Sequence, residues 1–182
     1  MTYVLIAVVF AVLLYVLNLY NALASLKVKI KEAWSQIDVQ LKRRTDLIPN
    51  LVETVKGYAA HEKEVFENVT KARASLMGAS NVTEAEAADQ QLSGALSRLF
   101  AVAEAYPELK AQEGFVNLQK ELSDTEDKVS YSRQFYNAVV RDYNSKLVVV
   151  PSSFVANAFG FKAEPFFEAK PEEREAVKVQ FS

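Results

Sequence analysis

Residues 23–76, LASLKVKIKEAWSQIDVQLKRRTDLIPNLVETVKGYAAHEKEVFENVTKARASL, carry the pattern that decides the fold. Apolar residues repeat along this stretch in alternating steps of four and three. This spacing places them on one face of an α-helix, the face that a helix buries against other helices. The stripe keeps its phase past Pro49, and Gly78 stands where a C-terminal cap is expected. We therefore predict one helix, kinked at Pro49, that continues to about Met77.

The chain upstream of this stripe has the composition of a membrane span. Residues 3–17, YVLIAVVFAVLLYVL, are all apolar, and the first charged side chain is Lys27. About 20 apolar residues cross the hydrocarbon core as a helix, so a span from about Thr2 to Leu23 is predicted. We expect lipid around its large apolar side chains, which are Val4, Leu5, Ile6, Val8, Val9, Phe10, Val12, Leu13, Leu14, Val16 and Leu17.

A cleaved signal peptide is the alternative interpretation of this segment. Residues 22–24, Ala-Leu-Ala, fit the small-residue cleavage pattern. However, no Lys or Arg precedes the apolar run, and signal peptides usually carry a basic region there. The helical pattern also continues through the would-be cleavage site. We therefore favour an uncleaved anchor.

The basic residues near the span predict its orientation. Lys27, Lys29 and Lys31 follow the span, whereas only the α-amino group precedes it. Basic residues near the ends of a span remain in the cytoplasm. We expect a single-pass membrane protein with its N-terminus outside and its helical body in the cytoplasm.

The chain downstream of the stripe contains further helices. Capping-box spacing places the start of a second helix near Thr83, and Pro107 ends it. The third helix carries an apolar stripe that begins at Phe115, and Pro151 ends it. A short helix is expected at 152–158. The predicted fold is all-α: a transmembrane helix that continues into an elongated antiparallel bundle of three long helices plus a short C-terminal helix.

The sequence predicts three regions: an anchor at 1–24, a helical bundle at 25–150, and an aromatic-rich cap and tail at 151–182. Five phenylalanines of the third region fall within fourteen residues: Phe154, Phe159, Phe161, Phe166 and Phe167. We expect them to cover the end of the bundle. The alternative is an exposed aromatic patch for a partner or a membrane surface. Val177, Val179 and Phe181 alternate as in a short strand or an extended tail.

Residue types that support catalysis are sparse. The chain has no Cys, and His61 is the only histidine. The H-E-x-x-H zinc motif that begins at His61 fails because Val65 occupies its last position. The five glycines are too scattered for a phosphate-binding loop, and a net charge of −2 does not favour nucleic acid. We predict no enzymatic activity, catalytic residue, cofactor, metal site, nucleic acid partner or small-molecule substrate.

A basic cluster, Lys42-Arg43-Arg44 with nearby Asp46, interrupts the apolar stripe. Arg44 lies on the stripe itself, so its structural interpretation is an arginine paired with a carboxylate from another helix. The functional interpretation is contact with a partner or a lipid headgroup. We name Arg43, Arg44, Asp46, Phe159 and Phe161 as candidate partner-binding residues.

Three blocks of the sequence resemble the signature blocks of the LemA family. They are EAWSQIDVQLKRRTDLIPNLVETVKGYAAHE at 32–62, SGALSRLFAVAEAYPELKA at 93–111 and FVNLQKELSDTEDKVSYSRQFYN at 115–137. The motif Phe-Gly-Phe-Lys at 159–162 resembles the family's C-terminal signature. The resemblance implies a bacterial protein with an N-terminal transmembrane helix, a short outside N-terminus and a cytoplasmic antiparallel helical bundle. It implies no reaction.

These patterns together predict a membrane-anchored, non-enzymatic scaffold or adaptor. Its expected partners are the lipid bilayer and a membrane protein of unknown identity, or further copies of itself in a homo-oligomer. The first alternative is a membrane-organising protein that acts directly on lipid. The second is an enzyme that uses carboxylates without a recognisable motif. Charge reversal of Arg43 and Arg44 is expected to abolish partner capture without lowering thermal stability.

Overall fold

The structure, a computed structural model, describes residues 1–167, and these residues form helices joined by short turns. The helices of this part of the chain are α1 (Thr2–Lys56), α2 (Lys63–Met77), α3 (Val82–Glu104), α4 (Pro107–Lys110), α5 (Glu113–Val148) and α6 (Ser152–Ala158). Residues 1–167 contain no strand. The all-α helical fold is confirmed, including the short helix at 152–158. The predicted extension at Val177, Val179 and Phe181 lies outside the described residues.

The chain divides into two compact units, and α1 and α5 contribute to both. The first unit contains Met1–Asp38 and Ser130–Phe166, and the second contains Val39–Val129 and Phe167. The division into an anchor at 1–24, a bundle at 25–150 and a cap at 151–182 remains a prediction.

The prediction of one helix that continues to Met77 is wrong. α1 ends at Lys56, and the turn of residues 57–62 leads into α2. The N–H groups of Tyr58 and Ala59 both donate to the carbonyl of Val55, at 3.0 and 2.9 Å, and so close the end of the helix. Gly57, which follows the last helical residue, costs about 1 kcal/mol more than Ala in a helix interior, so the break is inexpensive there.

The break changes which side chains are buried. The continued stripe would bury Tyr58, but this side chain is exposed, and Ala59 is buried beside it. In α2, Phe66 and Val69 are buried, and α2 packs against α3. A helix that packs on α3 therefore replaces the predicted extension of α1.

Pro49 lies inside α1, as predicted, and the helix continues past it. A proline has no N–H, so the carbonyl of Thr45, four residues earlier, loses its usual helical donor. Nε of Arg73 in α2 donates to that carbonyl at 2.8 Å. Thr45 is 2% exposed, so this bond supplies a partner to a carbonyl that water does not reach freely. The contact also ties α2 to α1.

The apolar stripes of the long helices form the core, as their spacing predicts. In α1 the buried members are Leu23, Ile30, Ile37, Leu41, Ile48, Leu51 and Val55. In α5 they are Phe115, Leu122, Val129, Tyr136, Val139 and Tyr143, and the polar interruptions Thr125 and Ser132 are buried with them.

Caps define the starts of α3 and α5. The side chain of Asn81 accepts a hydrogen bond from the N–H of Glu84 at 2.9 Å, so α3 begins directly after Asn81. The side chain of Gln112 accepts from the N–H of Phe115 at 2.6 Å at the start of α5.

In the first unit, the ring of Trp34 in α1 meets that of Tyr136 in α5 edge-on, with centroids 6.4 Å apart.

Candidate functional site

The first candidate site is the apolar start of α1. This helix contains one segment that is long and apolar enough to cross a membrane, and none of that segment is buried. Ten of the eleven predicted lipid-facing side chains are exposed, and Val16 is half-buried. The first fully buried residue is Leu23, although Val16 and Leu19 are already half-buried. α1 runs unbroken through residues 22–24, where a signal peptidase would have to cut.

The second candidate site is a buried ion cluster in the second unit. Nη1 of Arg44 lies 2.6 Å from Oδ1 of Asp89 in α3, and its Nη2 lies 2.5 Å from Oε2 of Glu126 in α5. Nη2 also donates to Oγ of Ser93 at 3.1 Å. Arg44 is 5% exposed and Asp89 only 1%. The guanidinium thus joins three helices, because its planar fork presents donors in several directions at once.

This geometry supplies the structural interpretation of Arg44. Its carboxylate partners come from other helices, and Asp46 is not one of them. Arg43 and Asp46 are exposed and form no ion pair with a described residue. Arg43 and Asp46 therefore lie on the surface, whereas the buried guanidinium of Arg44 is paired with Asp89 and Glu126. Partner binding by any of the predicted residues is untested and remains a prediction.

An open cavity of about 660 Å³ lies beside the ion cluster. Leu96, Phe100 and Leu122 supply apolar walls, and Gln90, Ser97, Gln119 and Ser123 supply polar groups. The cation at its edge, Arg44, already faces the carboxylates of Asp89 and Glu126. The cavity therefore offers an anionic ligand little net positive charge.

The aromatic residues after α6 contact α1 in the first unit. The rings of Phe159 and Phe161 lie 4.9 and 5.6 Å from the ring of Tyr20, measured between centroids. Phe159 and Phe154 remain largely exposed, and Phe167 is buried. The interpretation of these phenylalanines as a cover for the bundle end stays a prediction.

Side chains of α5 hold the extended segment 162–165. The hydroxyls of Tyr143 and Tyr136 donate to the carbonyls of Lys162 and Pro165, at 3.0 and 2.9 Å. The amide of Asn144 both donates to the carbonyl of Glu164 and accepts from its N–H, at 2.9 and 3.0 Å. All four bonds reach main-chain atoms, so they fix the path of the segment.

Burial and the carboxylate of Glu164 raise the pKa values of Tyr136 and Tyr143. Burial first, and then Glu164, raise the pKa of Tyr136 to about 12. The same two causes raise the pKa of Tyr143. Both phenols therefore stay protonated donors at neutral pH. No local sequence pattern predicts this arrangement, because the bonded residues lie 19 to 29 positions apart in the chain.

His61 and the acidic side chains are the remaining candidates for chemistry in the described part of the chain. His61 is exposed in the turn before α2. Within residues 1–167, no group of three or more His, Asp or Glu side chains is placed to hold a metal ion.

Known proteins resemble this chain over most of its length. The LemA family model matches residues 33–181. Magnetosome protein MamQ of Magnetospirillum gryphiswaldense is 26% identical over 178 aligned positions, which cover 84% of this chain and 65% of that protein. Magnetosome protein MamQ 1 of Paramagnetospirillum magneticum is 25% identical with the same coverage. Protein LemA of Metamycoplasma hominis is 27% identical over 150 positions, covering 80% of this chain and 67% of that protein.

The match covers slightly less than two thirds of the MamQ proteins, and none of these names states a reaction. The family match extends from the middle of α1 past α6, and so includes the ion cluster and the segment that α5 holds. The chain belongs to the LemA family.

Proposed function

We propose that this protein is a membrane-anchored, non-catalytic scaffold or adaptor that binds a membrane protein or a second copy of itself. The observation that carries the proposal is the continuity of α1. Its first part is apolar and exposed, and its later part contributes core residues to both units. One helix thus joins an apolar, exposed segment to folded parts of the chain, and several relatives are named as magnetosome proteins.

The outer face of α1 in the second unit is our candidate for the partner surface. Val39, Arg43, Asp46 and Asn50 are exposed and follow one another in steps of four, three and four, so they share one face of the helix. We name these four residues the outer stripe. Val39 leaves a branched apolar side chain 52% exposed, next to one cation and one anion. An apolar residue among charges suits a protein partner better than bulk water does.

The test uses cross-linking from the outer stripe in native membranes. The chain has no Cys, so Val39→Cys introduces a single attachment point for a photoactivatable cross-linker. Val116→Cys is the matched control, because Val116 is also an exposed valine of the second unit, on α5. We expect adducts from position 39 with one defined membrane protein, or with the chain itself, and none of these from position 116.

Charge reversal at Arg43 completes the test. Arg43→Glu should remove the adduct from position 39 while leaving the melting temperature unchanged, because its side chain is exposed. The double reversal suggested by the sequence is unsuitable, since Arg44 is buried among carboxylates and its reversal would destabilise the fold. Identical, diffuse adducts from positions 39 and 116 would contradict the adaptor proposal.

Direct organisation of lipid is the second candidate function. Large apolar side chains are exposed in the first unit outside the span, above all at Phe154 and at Val148–Val150. A cluster of this kind suits a membrane surface as well as a partner. Vesicles that change shape or cluster when the full chain is reconstituted would favour this candidate. Vesicles that stay unchanged while cross-linking succeeds would favour the adaptor.

A further inference from the structure

An exposed apolar cluster lies where α5 ends and α6 follows. We name it the α5–α6 elbow and define it by Val148, Val149, Val150, Phe154 and Phe159. These five side chains are between 56% and 76% exposed. An exposed cluster of five large apolar side chains within twelve residues is typical of a surface that contacts a protein or a membrane. The elbow lies in the first unit, together with the membrane span.

Helix geometry places the elbow level with the end of the membrane span. Trp34 meets Tyr136, and from these two residues α1 and α5 each continue twelve residues, to Ala22 and to Val148 respectively. Twelve residues correspond to about 18 Å on either helix. A second link, from Asn144 through Glu164 to Lys27, indicates that the two helices run antiparallel in this unit. Val148 therefore lies near the height of Ala22, a few residues beyond the apolar run that ends at Leu17.

Direct contacts agree with this placement. Phe159 of the elbow lies 4.9 Å from Tyr20, measured between ring centroids. One turn earlier, Val16 and Leu19 are half-buried, whereas Leu13 and Leu17 are exposed. The first unit thus begins to cover α1 before the apolar run has ended. A bilayer whose hydrocarbon ends with the apolar run would have its headgroup boundary near this height, and tyrosines such as Tyr20 favour that boundary.

The charges around the elbow suit lipid headgroups. Residues 143–163 contain Lys146 and Lys162 and no acidic residue. Lys27 and Lys29 of α1 follow the span within the same unit, and Lys27 lies 3.7 Å from the carboxylate of Glu164. Apolar side chains flanked by lysines are the composition of a segment that lies in the interface of an anionic leaflet.

We propose that the α5–α6 elbow is a second membrane contact, which inserts its valines and phenylalanines into the interface of the leaflet from which α1 emerges. The proposal rests on the membrane anchoring of α1 in the proposed function. The bilayer is the occupant because the elbow continues the exposed apolar surface of the span through Tyr20 and Phe159. A body held by both a helix and an elbow cannot swing freely about a single anchor.

The test measures membrane depth in the full chain. Single cysteines replace Val149 or Phe154, carry an environment-sensitive NBD fluorophore, and are reconstituted into phosphatidylcholine–phosphatidylglycerol vesicles with and without spin-labelled lipid. Val9→Cys reports on the span. Tyr131→Cys is the matched control, because Tyr131 is 73% exposed on α5 in the same unit. It lies about 27 Å along the helix from Val149.

We expect the spin label to quench the fluorophore at positions 149 and 154 on the order of half as strongly as at position 9, and not at position 131. Quenching at position 9 without quenching at 149 and 154 would overturn this inference and leave the anchor intact. No quenching at position 9 would remove the anchor and both proposals with it. Disulfides that form between copies of the unlabelled Val149→Cys chain on addition of an oxidant, together with no quenching in the labelled chain, would assign the elbow to self-association and overturn the membrane contact.

Discussion

The hydrogen bond between Arg73 and the carbonyl of Thr45 provides a sharp test of how α1 tolerates Pro49. The proline removes the donor that this carbonyl would have in a regular helix, and Nε of Arg73 replaces it at 2.8 Å. If this account is right, the arginine matters only because the proline is there. The cost of removing Arg73 should therefore depend on residue 49.

The size of the effect follows from the burial of the carbonyl. Thr45 is 2% exposed, and a buried acceptor that loses its charged donor costs about 2 kcal/mol. Arg73→Met keeps most of the apolar stem and removes the donor, so it should lower the free energy of unfolding by about that amount. In a Pro49→Ala background, the new N–H of residue 49 can donate to Thr45, and the same change should cost less than about 0.5 kcal/mol.

Urea unfolding of the full chain in detergent, followed by circular dichroism at 222 nm, measures the four free energies of this double-mutant cycle. Arg98→Met is the matched control, because Arg98 is an exposed arginine of the same unit and should change stability by less than about 0.5 kcal/mol. Equal costs of Arg73→Met with proline and with alanine at position 49 would refute the reasoning.

Two further predictions concern the buried polar groups. Arg44→Met should lower the free energy of unfolding by about 3–5 kcal/mol in the same assay, since it removes the cation that faces Asp89 and Glu126, whereas Arg43→Met should have little effect. Burial and Glu164 raise the pKa of Tyr136 to about 12, so the folded state holds this proton to higher pH than the unfolded chain does. The contribution of Tyr136 to the free energy of unfolding should be complete below pH 10 and should fall by less than about 3 kcal/mol between pH 10 and 12. Unfolding curves measured over a pH series should show a smaller loss in Tyr136→Phe.

Local periodicity explains what could be predicted. The stripe through Leu23, Ile30 and Ile37 is buried as its spacing requires, because a helix repeats its faces whatever surrounds it. The same reasoning placed Arg44 on the buried face. It could not identify Asp89 and Glu126 among the 23 acidic residues, since that choice depends on how separate helices meet.

The turn at 57–62 shows where periodicity fails. Two helices whose apolar stripes share one phase across a short turn have the same sequence pattern as a single continuous helix. Gly57 is the local feature that favours a break between α1 and α2. The hydrogen bonds from Tyr143 and Asn144 to the segment 162–165 are also not predictable from the sequence, because they reach main-chain atoms. Any sequence in that segment presents such atoms.

The part of α1 before Leu23 and the part after it are constrained by different physical requirements. The part before Leu23 needs only apolar side chains and sufficient length, because lipid accepts many sequences. The part after it must supply particular groups at particular positions, among them the guanidinium of Arg44 and the carbonyl of Thr45. The family match begins at Ala33, within the part that carries these contacts. The specific contacts of α1 therefore lie in the part that the family model matches, whereas the apolar part before Leu23 carries none of these polar contacts.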